Sequence, residues 1–324
     1  LEAFSAIVPL SERDIARAFA LGVRLYAVDC KAEVEKTARA APGSRVFCRI
    51  LSDCVGAEWP LSRKFGCEPA MAVDVLEHAL KAGLEPVGVS FHVGSQQRNQ
   101  HAWDRALASA AAVFKECGER GINLTMVNLG GGFPTKYLKN VPSVKTYGTA
   151  IFKALRKHFG NRIPETIIEP GRGMVGNAGT IEAEVVLVSK KSEEDDVRWV
   201  YLDIGKFGGL AETMDESIRY PIRTPRDGGE VAPCVLAGPT CDSADVMYEK
   251  QPYALPISLE IGDKVLIEGT GAYTAVYLGG EASGRSHRGE RAEQRGHERV
   301  AHVLPQLEEA APGVPVAGGE GVEG

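Results

Sequence analysis

A chain of 324 residues can hold one large domain, or a barrel with a smaller partner. With 44% hydrophobic and 25% charged residues and a net charge of −6, it has an ordinary globular composition and lacks the basic balance of a nucleic-acid surface. The seven cysteines (30, 48, 54, 67, 117, 234 and 241) are scattered, which fits neither a metal site nor a disulfide framework and points to a reducing cytoplasm, while no apolar run has the length of a membrane span.

From Ser11 to about Arg172, short β-branched runs alternate with helical patterns. The runs are 23–28 (VRLYAV), 45–50 (RVFCRI), 87–93 (VGVSFHV), 124–129 (LTMVNL) and 166–169 (TIIE). Between them, residues 69–82 place Met71, Val75, Leu76, Ala79 and Leu80 on one helical face, and 102–117 and 143–159 read similarly. The pattern predicts an α/β region of about five βα units with a parallel sheet; a closed (β/α)₈ barrel needs eight. From Gly179 the strands 181–189, 198–204, 232–237 and 264–268 follow without long helices between them, as in a mostly antiparallel β domain. Residues 278–324 contain no Phe, Trp or Tyr but 10 glycines among alternating Arg and Glu, a composition that predicts disorder. The expected division is a partial barrel over 1–178, a β domain over 179–278 and a tail over 279–324.

Three motifs fall at the C-terminal ends of successive parallel strands, where such barrels place their sites. "FHVGSQ" supplies His92 and Ser95, "NLGGGFP" supplies Gly130, Gly131 and Gly132, and "EPGRGMVG" supplies Glu169, Gly171 and Arg172. Each alone is weak, since a glycine run after a strand is usually a turn and a strand-end histidine usually structural. Together they suit a phosphorylated heteroaromatic cofactor. Consecutive glycines let backbone N–H groups approach a phosphate, Arg172 offers a planar charged donor, and Ser95 adds a hydroxyl. Glu169 can hold a ring nitrogen protonated, and His92 can lie against a ring face. No Gly-x-Gly-x-x-Gly opens a helix here, so a dinucleotide site has little support. The later stretches "GPTCDSADVMY" and "GTGAYT" add Cys241, Asp242 and Tyr273.

With these motifs in order, residues 11–277 resemble the ornithine/diaminopimelate decarboxylase family of pyridoxal phosphate (PLP) enzymes, alanine-racemase-like barrels followed by a β domain, and within it the bacterial ornithine decarboxylases. The resemblance covers 267 of 324 residues. It implies that His92 stacks on the pyridine ring and Glu169 partners its nitrogen. It implies that Ser95, Gly130, Gly131, Gly132, Gly171, Arg172 and Tyr273 form the phosphate cradle, with Arg49 a cofactor-side arginine. Cys241 matches a catalytic cysteine that directs protonation, and Asp242 a carboxylate for the substrate's distal amine. In this family those two reach into the other subunit's site, so a homodimer with shared sites is expected. Asp215 in "AETMDES" is a second candidate amine-binding carboxylate. Asp242 favours ornithine, with lysine second, since one methylene is worth only ~1–3 kcal/mol to a pocket.

The family's Schiff-base lysine has no counterpart. "LYAVDCK" looks like a lysine strand with Asp29 in the lysine's place, but only one clear strand, 45–50, separates it from His92. It resembles a later family strand whose aspartate is usual. Lys31 and Lys64 read as solvated loop or helix-start residues and not as replacements. The chain as given is therefore expected to lack the lysine strand and to have no normal turnover alone. The alternatives are a non-catalytic homologue that dimerises with an intact decarboxylase, or a lysine or diaminopimelate decarboxylase. No metal is called for.

Overall fold

The computed structural model describes residues 4–5, 10–59 and 64–274. The tail expected over 279–324 lies outside them. In chain order the first half runs β1 (Phe4–Ser5), α1 (Glu12–Ala20), β2 (Leu25–Val28), α2 (Lys31–Ala40), β3 (Arg45–Arg49), β4 (Ala57–Trp59), α3 (Pro69–Lys81) and β5 (Glu85–Ser90). It continues with β6 (Ser95–Gln97), α4 (Ala102–Glu119), β7 (Met126–Asn128), α5 (Val144–Phe159), β8 (Glu165–Ile167) and the short α6 (Gly171–Val175).

Six strands pair in parallel in the order β1-β2-β3-β5-β7-β8. The five expected strands are all present, and the two-residue β1 precedes them. The helices cover one face. All four residues of β2 are buried, because alternate side chains enter different cores. Tyr26 and Val28 join Val46, Val89, Val127, Leu76, Trp103 and Leu107 on the helix side. Leu25 and Ala27 join Phe47, Val87 and Met126 on the other.

Local chemistry sets the helix ends. Ser11 and Ser143 accept backbone N–H bonds from Asp14 at 3.1 Å and Thr146 at 3.2 Å, capping α1 and α5. Pro69 begins α3, where its missing N–H costs nothing. The buried face of α3 differs from the expected one. Val75, Leu76 and Ala79 are buried with Ala72 and Val73, but Met71 and Leu80 are 44% and 51% exposed. The small Ala72 takes the covered side, and Met71, one residue away on the helix, is turned from it.

The second half comprises β9 (Thr180–Ser189), β10 (Arg198–Leu202), β11 (Ile222–Arg223), β12 (Val231–Ala237), β13 (Val246–Met247), β14 (Tyr253–Pro256) and β15 (Lys264–Glu268). Its sheet runs β11-β15-β9-β10-β12-β13, with β14 also on β12; every pairing is antiparallel except β10 with β12. A separate core gathers Val185, Val200, Tyr220, Leu236, Tyr248 and Ile267. Tyr137, from the loop after β7, packs into this second core and so ties the halves together.

Gly88 fixes the spacing of β5 and β7: a Cβ there would lie 2.0 Å from the Met126 carbonyl oxygen. Gly88→Ala is expected to cost roughly 1–3 kcal/mol of stability in urea unfolding, as overpacking does; an unchanged midpoint would contradict this close approach.

Candidate cofactor site

The strand ends β5, β7 and β8 converge on a recess whose empty volume, open solvent included, is about 460 Å³. Trp59, His92, Ser95, Gly132, Phe133, Glu169, Pro170, Arg172, Glu212 and Tyr273 line it. Six of the expected site residues thus share one pocket: His92, Ser95, Gly132, Glu169, Arg172 and Tyr273.

His92 follows the end of β5, and the Gly94 N–H donates to its Nδ1 at 3.0 Å. Gly94 reaches this position with a φ of +90°. With Nδ1 accepting, the neutral ring carries its proton on Nε2. Burial first, and the Arg49 charge second, hold its pKa down to about 4. The imidazole is therefore neutral near pH 7. Arg49 itself, half-buried with its guanidinium 5.5 Å over the Phe65 ring, stands beside the recess and does not line it. Burial lowers its pKa, against the opposing pull of Glu169 and Asp29.

The glycine turn after β7 is packed backbone to backbone. A Cβ on Gly130 would lie 2.0 Å from the Phe91 carbonyl oxygen, and one on Gly131 would lie 2.7 Å from that of Glu169 and 3.1 Å from His92 Nε2. One on Gly132 would lie 2.5 Å from the Gly94 carbonyl oxygen. Asn128 organises this corner. Fully buried, it accepts from the Gly130 N–H at 2.9 Å and donates from Nδ2 to Glu169 Oε1 at 2.6 Å. One oxygen of Glu169 is thereby occupied, leaving Oε2 as acceptor toward the recess.

Arg172 is 3% exposed. Its guanidinium meets Glu212 in a bidentate ion pair, with Nη1 to Oε2 at 2.9 Å and Nη2 to Oε1. Nη1 also donates to the Tyr137 hydroxyl at 2.6 Å, and Nε and Nη2 donate to Ser95 Oγ at 3.3 and 3.1 Å. Gly171 is close beneath Tyr273, whose hydroxyl would be 2.9 Å from a Cβ there.

The substrate-side candidates are elsewhere. Cys241 and Asp242 occupy an exposed loop between β12 and β13 and line no part of the recess. Asp215 adopts a left-handed φ of +53°. It lines a second cavity with Glu58, Arg98, Tyr137 and Glu216, 3.6 Å from Lys250 Nζ. Lys31 and Lys64 are both exposed. Asp29 Oδ2 accepts the Gly66 N–H at 3.0 Å, an anchoring role for the loop before α3.

Sequence reasoning missed Asn128, Trp59, Phe133, Tyr137 and Glu212. Asn128 stands two residues before the first glycine in "NLGGG", the one available signal. Glu212 lies in the "AETMDES" stretch singled out for Asp215, and nothing in the sequence pairs it with Arg172. The thiols of Cys48 and Cys67 are 3.6 Å apart, another proximity that their spacing hides.

A parallel sheet backed by helices, with imidazole, carboxylate and a glycine turn at its strand ends, defines a cofactor-binding barrel domain followed by a β domain. The family model that matches is "Pyridoxal-dependent decarboxylase, pyridoxal binding domain", over residues 8–176, and the chain belongs to that family. It is 36% identical over 259 residues to the lysine/ornithine decarboxylase of Selenomonas ruminantium, covering 78% of this chain and 63% of that protein. It is 31% identical to antizyme inhibitor 2 of Xenopus laevis, covering 78% and 58%. The structure of SrLDC in complex with PLP and cadaverine superposes with a TM-score of 0.71 at 33% identity, covering 82% of this chain and 66% of that one. The chain spans about three fifths of the length of these curated relatives.

The residues present fit the family's cofactor. The turn at 130–132 is a cradle that any side chain would fill, and the donor set pairs a hydroxyl with a fixed guanidinium on one side and a carboxylate acceptor on the other. Among the described residues, no group of three or more His, Cys, Asp or Glu could hold a metal, and no helix is long and apolar enough to cross a membrane.

The neutral state of His92 has a measurable consequence. Unfolded, it titrates near 6.5; folded, near 4. Between those values the unfolded chain binds the extra proton, so stability falls as pH drops through this window. Relative to His92→Gln, the wild type is expected to lose about 2–3 kcal/mol more between about pH 7 and pH 4. Denaturant unfolding at both pH values checks it, and equal losses would mean that the ring is not held neutral.

Proposed function

We propose that this site serves α-decarboxylation of a basic amino acid, L-ornithine first and L-lysine second, giving a diamine (putrescine from ornithine) as in polyamine biosynthesis. The observation that carries the reading is the convergence of His92, Ser95, Gly132, Glu169 and Arg172 on one recess at the strand ends. When bound, pyridoxal phosphate supplies the electron sink for the electron pair left as the carboxylate departs as CO₂.

The chain's own residues do the rest. Glu169, held by Asn128, accepts a hydrogen bond from a ring N–H and keeps that nitrogen charged. His92 is a neutral, half-covered wall that offers a planar face and adds no positive charge beside the ring. Ser95 and the glycine turn receive the phosphate, while Trp59 and Phe133 screen the recess from water. Cys241 and Asp242 face outward on a single chain, so their expected roles in protonation and amine binding require a second subunit. A cytoplasmic homodimer with shared sites is part of this proposal.

A second reading is a non-catalytic homologue that dimerises with an intact decarboxylase. It is favoured by the similarity to antizyme inhibitor 2. Release of CO₂ from labelled ornithine, lysine, arginine and diaminopimelate, with pyridoxal phosphate present, tests both readings. The 324 residues alone are expected to give no CO₂ above free cofactor, and robust turnover overturns that. With a lysine-bearing strand supplied upstream, ornithine is expected to react fastest; a faster diaminopimelate or arginine reaction overturns the substrate choice. Continued inactivity, together with capture of an intact decarboxylase on co-expression, favours the second reading.

A further inference from the structure

Cys48 lies in β3, and Cys67 lies in the segment that leads into α3. Their Sγ atoms are 3.6 Å apart, and both stand by the Arg49 carbonyl oxygen, at 3.9 and 3.7 Å. β3 is paired on one side with β2 and on the other with β5, which fixes Cys48 in the sheet. Cys67 is held more lightly. It bridges to Ile50, gives its N–H to the Arg49 carbonyl at 3.0 Å, and follows Gly66, whose N–H is held by Asp29. Buried cysteines ordinarily pack as small apolar side chains. Two thiols from separate segments, facing each other in contact, offer a reaction as well.

The two sulfurs are not equivalent. Cys48 is 0% exposed, whereas Cys67 keeps 6%. The hydrogen bond from Cys48 holds the Cys67 pKa below the usual thiol value, against burial and the Asp29 charge. The same contact, with its own burial, raises the pKa of Cys48. A thiolate is the form that attacks an oxidant.

We propose that Cys48 and Cys67 form a peroxide-responsive dithiol site, in which Cys67 reacts first and Cys48 closes the disulfide. The Cys67 sulfur attacks the outer oxygen of a hydroperoxide. An S–O bond forms, the O–O bond breaks, and the departing alkoxide or hydroxide takes up a proton. Cys48 then displaces hydroxide from the Cys67 sulfenic acid, and its own proton completes a water molecule as the S–S bond forms. The two sulfurs together lose two electrons, and the peroxide gains them. No part of this depends on the cofactor reading of the recess.

Closure brings the sulfurs from 3.6 Å to about 2.05 Å. With β3 fixed, the segment 65–67 takes up that movement. Gly66 has little slack, since a Cβ there would already lie 3.2 Å from the Ile50 carbonyl carbon. The shift loads the Gly66–Asp29 hydrogen bond and moves Phe65 against the Arg49 guanidinium, which stands 5.5 Å over its ring. Arg49 in turn acts electrostatically on His92, so the disulfide is felt at the recess.

The test is titration of the purified, reduced chain with hydrogen peroxide, followed by alkylation of the remaining thiols and peptide mapping. The expected product is a linked Cys48–Cys67 peptide, lighter by two hydrogens and restored by dithiothreitol, with the buried Cys117 and Cys234 still open to alkylation after unfolding. Both thiols left free at doses that modify the exposed Cys241 would overturn the proposal, as would Cys67 sulfinic acid without linkage. Cys48→Ser is expected to leave Cys67 as a sulfenic acid that dimedone labels, and Cys67→Ser to leave Cys48 unlabelled. The opposite labelling overturns the assigned order. In the wild-type chain, hydrogen exchange of a peptide spanning 64–68 is expected to quicken roughly tenfold on oxidation, the worth of one hydrogen bond to a carboxylate, and to recover on reduction. Unchanged exchange overturns the coupling to this segment.

Discussion

Where the parallel sheet meets the β domain, an arginine and a glutamate face each other almost wholly out of water. Burying both charges costs several kcal/mol per ion before any return. The cost is offset by two-pronged geometry between Arg172 and Glu212 and by the Tyr137 and Ser95 oxygens that take the remaining donors. Burial alone would lower the Arg172 pKa, yet Glu212 and Tyr137 outweigh it and leave the pKa raised. One partner stands in α6 and the other in the turn after β10, so the pair fixes the two halves relative to each other at the rim of the recess. Tyr137 reinforces the same joint from the second core.

The other side of the recess is governed by a neutral network. Asn128, without charge or exposure, bonds both the glycine turn and Glu169. The Gly94 N–H fixes the His92 ring through Nδ1. The positive guanidinium of Arg49 disfavours a second positive charge on His92, adding to the effect of burial. The pocket therefore combines a compensated arginine, a carboxylate and an uncharged imidazole.

Cys241 and Asp242 belong to a loop that is exposed but not loose. Asp245, 2% exposed, accepts from the Lys206 N–H at 2.8 Å, the Thr240 N–H at 3.3 Å and the Thr240 hydroxyl at 2.8 Å. Gly205 and Gly238 press so closely that a Cβ on either would come within 2.2 Å of its carboxylate oxygens. The loop is thus held in a fixed shape with the Cys241 and Asp242 side chains exposed.

By itself the sequence determined the alternation of strands and helices, the change to an antiparallel domain after Gly179, and the strand-end motifs. These are local properties: β-branched runs, helical periods and glycine-rich turns constrain the chain within a few residues of themselves. Membership of the decarboxylase family was legible for the same reason, since its motifs are short and ordered. Helix faces were only partly legible, as Met71 and Leu80 show, because the side that becomes buried depends on the surface it meets. The tertiary structure alone decided that Glu212 pairs with Arg172, that Asn128 holds Glu169, and that Cys241, Asp242 and Asp215 stand away from the recess. Those pairings join residues about 40 positions apart, and a hydrogen bond is set by ångström-scale placement that no composition or spacing encodes.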